Sequence, residues 1–162
     1  MGVRIVNSSD SSLGDPLALE NQVCFALTIA ARNVVALYRP VLAPLGLTHP
    51  QYLVMLALWQ YAPVSVKELA TLLELDSATL SPLLKRLEAA GLVRRERNPD
   101  DERRLMVTLT PAGREMQEKA RDIPERMMRL LGMDPEELRH LNAVLSRLNA
   151  AATSADLTDA ES

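Results

Sequence analysis

Apolar residues recur at steps of three and four in several stretches of this 162-residue chain, and the segment between Leu92 and Leu109 departs from that rhythm. Such spacing puts apolar side chains on one stripe of a helix, whereas the interrupting segment is short, basic and centred on turn-forming residues. With one Phe and one Trp in the chain, the core must be built mainly from Leu, Val, Ala and Met. Except for Val, these residues lose little side-chain freedom in a helix. A mainly α-helical protein with one small ribbon is therefore expected.

Residues 1–15 are rich in Ser, Gly and Asp and read as a flexible arm. Asp15-Pro16 has the form of a helix start, and a long first helix should run from there to about Pro40. Its stripe is Cys24, Leu27, Ala31, Val34, Tyr38 and Val41, narrow enough for a helix that packs along another helix. His49-Pro50 opens a second helix, 51–61, which Pro63 stops. Ser65 and Glu68 have capping-box spacing and begin a short third helix ending near Leu75. Asp76 or Ser77 caps a fourth, apolar at Leu80, Leu83, Leu84 and Leu87 and closed by Gly91 as a left-handed C-cap. Strands over 92–97 and 104–109 flank a charged turn, 98–103. Thr110-Pro111 starts a fifth helix reaching Leu131 with a bend at Pro124, and Asp134-Pro135 starts a sixth. The order is four helices, two strands, two helices. It is that of a winged helix-turn-helix, 49–109, set between helical segments 16–48 and 110–151, with a flexible tail over 152–162.

The net charge of -3 does not by itself suggest a nucleic-acid binder. Its distribution does. Between Lys85 and Arg104 stand seven cations (Lys85, Arg86, Arg94, Arg95, Arg97, Arg103 and Arg104) against five acids. With the leucines of the fourth helix turned inward, Ser77, Thr79, Ser81, Lys85 and Arg86 are left on or near its outer side. Short hydroxyls near a helix N-terminus suit base edges and phosphate, and the two cations farther along can reach backbone or guanine. Pro82 removes one hydrogen bond within the second turn. Arg103, at the tip of the ribbon, is placed to enter a narrow minor groove, with Asp101 holding its guanidinium as a bidentate pair. An ordinary helical domain with a surface hairpin would carry the same charges, so spacing alone leaves both readings open.

No stretch is expected to reach the length of a membrane span, and no signal peptide is expected to open the chain. One Cys cannot make a disulfide framework within the chain, and a cytoplasmic location is the simplest reading. One Cys and two His supply no metal ligand set, no cofactor site and no enzyme constellation.

Two segments carry a resemblance. Asp101-Glu102-Arg103-Arg104 followed by Val107-Thr108-Leu109-Thr110-Pro111-Ala112-Gly113 closely resembles the wing and following helix start of the MarR family. The run from Leu83 to Val93 is similar to that family's recognition helix entering its wing. The resemblance implies a homodimer joined by the first, fifth and sixth helices, reading a pseudo-palindromic double-stranded DNA operator. Leu19-Glu20-Asn21-Gln22-Val23-Cys24-Phe25-Ala26-Leu27 further resembles the reactive-cysteine segment of the organic hydroperoxide resistance regulators, a MarR subfamily. So do Tyr38-Arg39-Pro40, the run from Pro50 to Leu56, Leu75-Asp76-Ser77 and Asp122-Ile123-Pro124.

The subfamily implies that Cys24 is a sensor oxidised by organic hydroperoxides, with operator release as the outcome. A lone Cys on an apolar stripe is otherwise an inert core residue, and a repressor released by a small aromatic ligand is the alternative. Cys24 and Tyr38 are fourteen residues apart, about 21 Å along one straight helix. Tyr38 can then meet the thiolate only from a partner subunit, as the subfamily also implies. His49 stands where a second thiolate-binding tyrosine is usual, and Thr28 where another tyrosine is frequent. An imidazole N–H can replace a phenol as donor, and a protonated His49 would lower the thiol pKa further; a solvated helix-start residue is the alternative. With no second Cys, oxidised Cys24 passes to a mixed disulfide with a low-molecular-weight thiol or overoxidises.

Overall fold

The computed structural model describes residues 15–155, so most of the expected arm, 1–14, and the last residues of the expected tail, 156–162, lie outside it. The described chain divides between Ala36 and Leu37 into two compact units, with helix α1, Val23–Leu42, running through the boundary.

In the first unit Asp15 does not open a long helix. Its carboxylate accepts from the Leu17 amide (2.9 Å), while the side-chain amides of Asn21 and Gln22 donate to the carbonyls of Asp15 (3.0 Å) and Pro16 (2.6 Å). Local bonds of this kind compete with the helical ladder. They leave only a 3-10 turn, Leu19–Asn21, and α1 begins about two turns later than Pro16.

Among the described residues, every buried residue of the core lies in the second unit. Thr48 and Gln51 form a capping box at the start of α2, His49–Tyr61, and Ser65 with Glu68 form one at the start of α3, Val66–Leu72. Helix α4, Ser77–Ala89, is capped by Asp76 and buries Leu80, Leu83, Leu84 and Leu87 as its spacing requires. Gly91 then takes φ +73°, and the Leu92 amide closes back onto the Leu87 carbonyl (3.0 Å), ending the helix as expected.

The ribbon is part of a three-stranded antiparallel sheet, not a pair of strands. Strand β1, Val64–Ser65, pairs with β3, Asp101–Leu109, through Val64 and Val107, and β3 pairs with β2, Val93–Asn98. A two-residue strand has no period to read, which is why β1 is invisible in the sequence.

The expected fifth helix is two helices, α5 over Pro111–Lys119 and α6 over Ile123–Leu131. In a continuous helix Pro124 would lack its N–H and clash with the carbonyl four residues back, whereas in the first turn of a new helix neither matters. Helix α7, Pro135–Ser154, starts at an Asp134–Glu137 capping box and extends three residues past 151. It buries nothing: Leu141, Val144, Leu145 and Leu148 stay exposed along one face.

The expectation about membrane length needs correction. Val23–Leu45 is long and apolar enough to cross a bilayer by length and composition, with mean hydropathy 1.2. Arg32 near its middle argues against that use, since a charge there costs about 2.5–3.5 kcal/mol.

The base of the wing is held without slack. The Thr110 hydroxyl donates to the Gly91 carbonyl (2.6 Å) and accepts from the Gly113 amide (3.0 Å), while the Trp59 indole N–H donates to the Gly113 carbonyl (2.9 Å). A Cβ at Gly113 would overlap the backbone carbonyl of Leu92. Gly113→Ala should therefore cost about 3 kcal/mol or more, at the upper end for overpacking, because the neighbour is backbone and cannot rotate away. Chemical denaturation against the unaltered protein measures the loss.

Candidate nucleic-acid interface and thiol site

Asp76 holds the first turn of α4 by accepting from the Thr79 amide at 2.6 Å. Ser77, Thr79, Lys85 and Arg86 are exposed, and Ser81 is half-buried, closer to the core than the other four. Pro82 faces solvent, where its missing N–H leaves the helix bonded on either side.

The wing is tighter than its sequence suggested. Asn98 pairs with Asp101, leaving only Pro99 and Asp100 to make the turn, so Asp101 and Arg103 belong to β3. The Asp101 carboxylate accepts from the backbone amide of Arg103 (3.1 Å), and no ion pair to the guanidinium forms. A two-residue Asx-type bond is satisfied by local geometry alone, and it leaves the exposed Arg103 side chain for other partners.

Two of the seven cations are committed elsewhere. Arg95 grips Glu88 of α4 through Nε (3.1 Å) and Nη2 (2.7 Å), and its amide donates to the other oxygen of that carboxylate (3.1 Å). Arg104 donates to Glu68 (3.0 Å), whose second oxygen accepts from the Ser65 amide and hydroxyl. Hydrogen bonds from Arg95 hold the Glu88 carboxyl below the usual carboxylate range, and those from Ser65 do the same for Glu68. The first pair fixes β2 to α4, and the second fixes β3 to α3. Lys85, Arg86, Arg94, Arg97 and Arg103 make no ion pair among the described residues. The interface thus separates cations that build the wing from cations that face outward.

In the first unit Cys24 is exposed, and the Thr28 hydroxyl is turned onto its own helix, donating to the Cys24 carbonyl at 2.8 Å. In the second unit Tyr38 and His49 lie ring against ring, centroids 4.7 Å apart. The sequence nominated both as groups that meet a thiolate, and the structure brings them together. It adds Tyr52, 5.8 Å from Tyr38, and Trp59, 6.4 Å from Tyr52, which sequence reasoning missed. The signal was present, since 49, 52 and 59 share a side of one helix.

Burial pushes the Tyr38 hydroxyl up and the His49 imidazole down from their ordinary values. Burial alone therefore works against a positive charge on His49. Its N–H remains a donor.

The sequence pattern of the MarR family matches residues 47–105. The organic hydroperoxide resistance transcriptional regulator of Bacillus subtilis (strain 168) is 42% identical over 134 residues, 83% of this chain and 91% of that protein. The chain belongs to the MarR family. A second relative, the HTH-type transcriptional regulator TtmR of Methylorubrum extorquens (strain PA1), is 43% identical over 153 residues, 92% of this chain and 78% of that protein. Among solved structures, AbfR of Staphylococcus epidermidis superposes with a TM-score of 0.71 at 33% identity, covering 85% of this chain and 95% of AbfR. AbfR has been solved on DNA in both reduced and overoxidised forms. This MarR protein is accordingly a DNA-binding transcriptional regulator and not an enzyme, and its mainly helical winged fold is that of its relatives.

Because burial lowers its pKa, His49 should titrate below 6.5 in the folded protein, as read by NMR of its ring protons. Protonation then favours the unfolded chain. Stability should rise with pH across the window between the folded value and 6.5, and His49→Gln should flatten that slope.

Proposed function

We propose that this MarR protein is a homodimeric repressor that holds a pseudo-palindromic operator and leaves it when organic hydroperoxides oxidise Cys24. The observation that carries the reading is the position of Cys24: exposed, near the start of a helix whose apolar residues Val23, Phe25 and Leu27 are exposed with it. An exposed thiol on an uncovered apolar stripe fits a site completed by a second chain, and the uncovered face of α7 supports the same assembly. Helix α1 is unbroken from Cys24 to Tyr38, so each thiol would take its hydroxyl and imidazole donors from Tyr38 and His49 of the other chain.

The chemistry is a two-electron exchange. The Cys24 thiolate attacks the hydroperoxide, the O–O bond breaks, and a proton completes the departing alcohol, leaving a sulfenic acid. A low-molecular-weight thiol then condenses with it, releasing water and forming a mixed disulfide, since the chain has no second Cys. That product adds bulk where two chains meet, which favours a spacing of the two DNA heads that fits the operator poorly. Bulk is preferred over overoxidation as the trigger because overoxidised AbfR has been solved on DNA. On the DNA side, Ser77, Thr79 and Ser81 serve base edges and phosphate, Lys85 and Arg86 serve backbone or guanine, and Arg103 enters the minor groove beside an Asp101-braced turn. A regulator of this kind works in the cytoplasm.

Mass spectrometry of Cys24 after a stoichiometric pulse of cumene hydroperoxide and a thiol, run beside a gel shift, tests the switch. Operator release should track the mixed disulfide, and Cys24→Ser should stay bound. A serine protein that is released equally well sinks the redox reading. Independently, Arg103→Ala should cost about 1–3 kcal/mol of operator binding and reduce its salt dependence, measured by anisotropy at several salt concentrations.

A further inference from the structure

His49, Tyr52 and Trp59 stand along one side of α2 and, with Tyr38 between His49 and Tyr52, form a row that ends at the first turn of α5. Ring centroids are separated by 4.7 Å from Tyr38 to His49, 5.8 Å from Tyr38 to Tyr52 and 6.4 Å from Tyr52 to Trp59. Tyr52 is only 3% exposed, and close-packed interiors leave such a ring little room to adjust alone. At the far end the Trp59 indole N–H donates to the Gly113 carbonyl at 2.9 Å, a bond between residues 54 positions apart in sequence. Gly113 is bonded through the Thr110 hydroxyl to Gly91, and the Thr110 amide donates to Leu92 at 3.1 Å. Gly91 and Leu92 are the residues through which α4 passes into β2.

We propose that Trp59 is a positioning residue for operator binding, carrying the setting of the Tyr38–His49 ring pair through α2 to the junction of recognition helix and wing. Helix α2 has 13 residues, and in this proposal it acts as a short rod that carries a displacement from its first turn to its last. The indole bond passes it to Gly113, where the overlap awaiting any Cβ shows how little slack the junction has. The angle at that junction decides whether α4 and the wing reach adjacent grooves together. As a route for the redox signal this rests on the reading of Tyr38 and His49 as the groups that meet Cys24, whereas the coupling of His49 to Trp59 does not.

Operator affinity is measured for the reduced protein, His49→Ala, Trp59→Phe and the double variant, with melting temperatures alongside. Phenylalanine keeps an aromatic ring in place and removes the donor. The two positions lie about 15 Å apart along the helix, where independent losses multiply. Trp59→Phe should weaken binding three- to tenfold at near-normal melting temperature, and the double variant should fall short of the product of the single losses by threefold or more. A loss equal to the product, or unchanged affinity in Trp59→Phe, overturns the proposal whatever peroxide does. Trp59 is the only tryptophan, so its emission reports the row directly. Stoichiometric cumene hydroperoxide should shift that emission in the wild type and not in Cys24→Ser. Operator release without a shift overturns the transmission. Neither shift nor release, with the non-multiplicative loss intact, sinks the redox reading alone and supports the positioning role.

Discussion

Four leucines decide which side of α4 meets solvent. Leu80, Leu83, Leu84 and Leu87 are all buried, and each contributes about 1.5–3 kcal/mol relative to exposure. No rotation of the helix about its axis keeps that contribution and hides Lys85 or Arg86. The polar surface offered to DNA is therefore set by hydrophobic burial, and the orientation of every candidate base-reading group follows from it.

Electrostatics then divides the labour among residues that look alike. The Arg95–Glu88 and Arg104–Glu68 pairs consume two cations in holding the wing against α4 and α3. The remaining cations of the segment keep their charge for an outside partner. The exposed Arg104–Glu68 pair need not stabilise the fold strongly, since exposed ion pairs contribute little on average. The value of both pairs lies in fixing where the wing points.

The helices outside the winged domain show the opposite economy. The apolar residues of α7 and of the first half of α1 are largely exposed, which a stable single chain would avoid. Cys24 sits on that uncovered surface. Under the proposed function a thiol placed there is met by a second chain, and the His49–Tyr38–Tyr52–Trp59 row is the proposed link to the junction of α4 and β2.

Much of this was legible in one dimension, because it depends on local chemistry. Leucine spacing, the Ser65–Glu68 box, the Asp76 cap and the left-handed Gly91 each act over a few residues, and each stands where the sequence placed it. What needed three dimensions depends on partners remote in the chain or on competing local bonds. The short β1 has no pattern of its own and exists because Val107 pairs with it. The split at Pro124, the diversion of Asp101 to a backbone amide, and the packing of His49 against Tyr38 were likewise decided by geometry and burial. Residue types and their periods specify which elements form and which face turns inward. Only packing determines which of several similar charges or rings becomes structural and which is left to act.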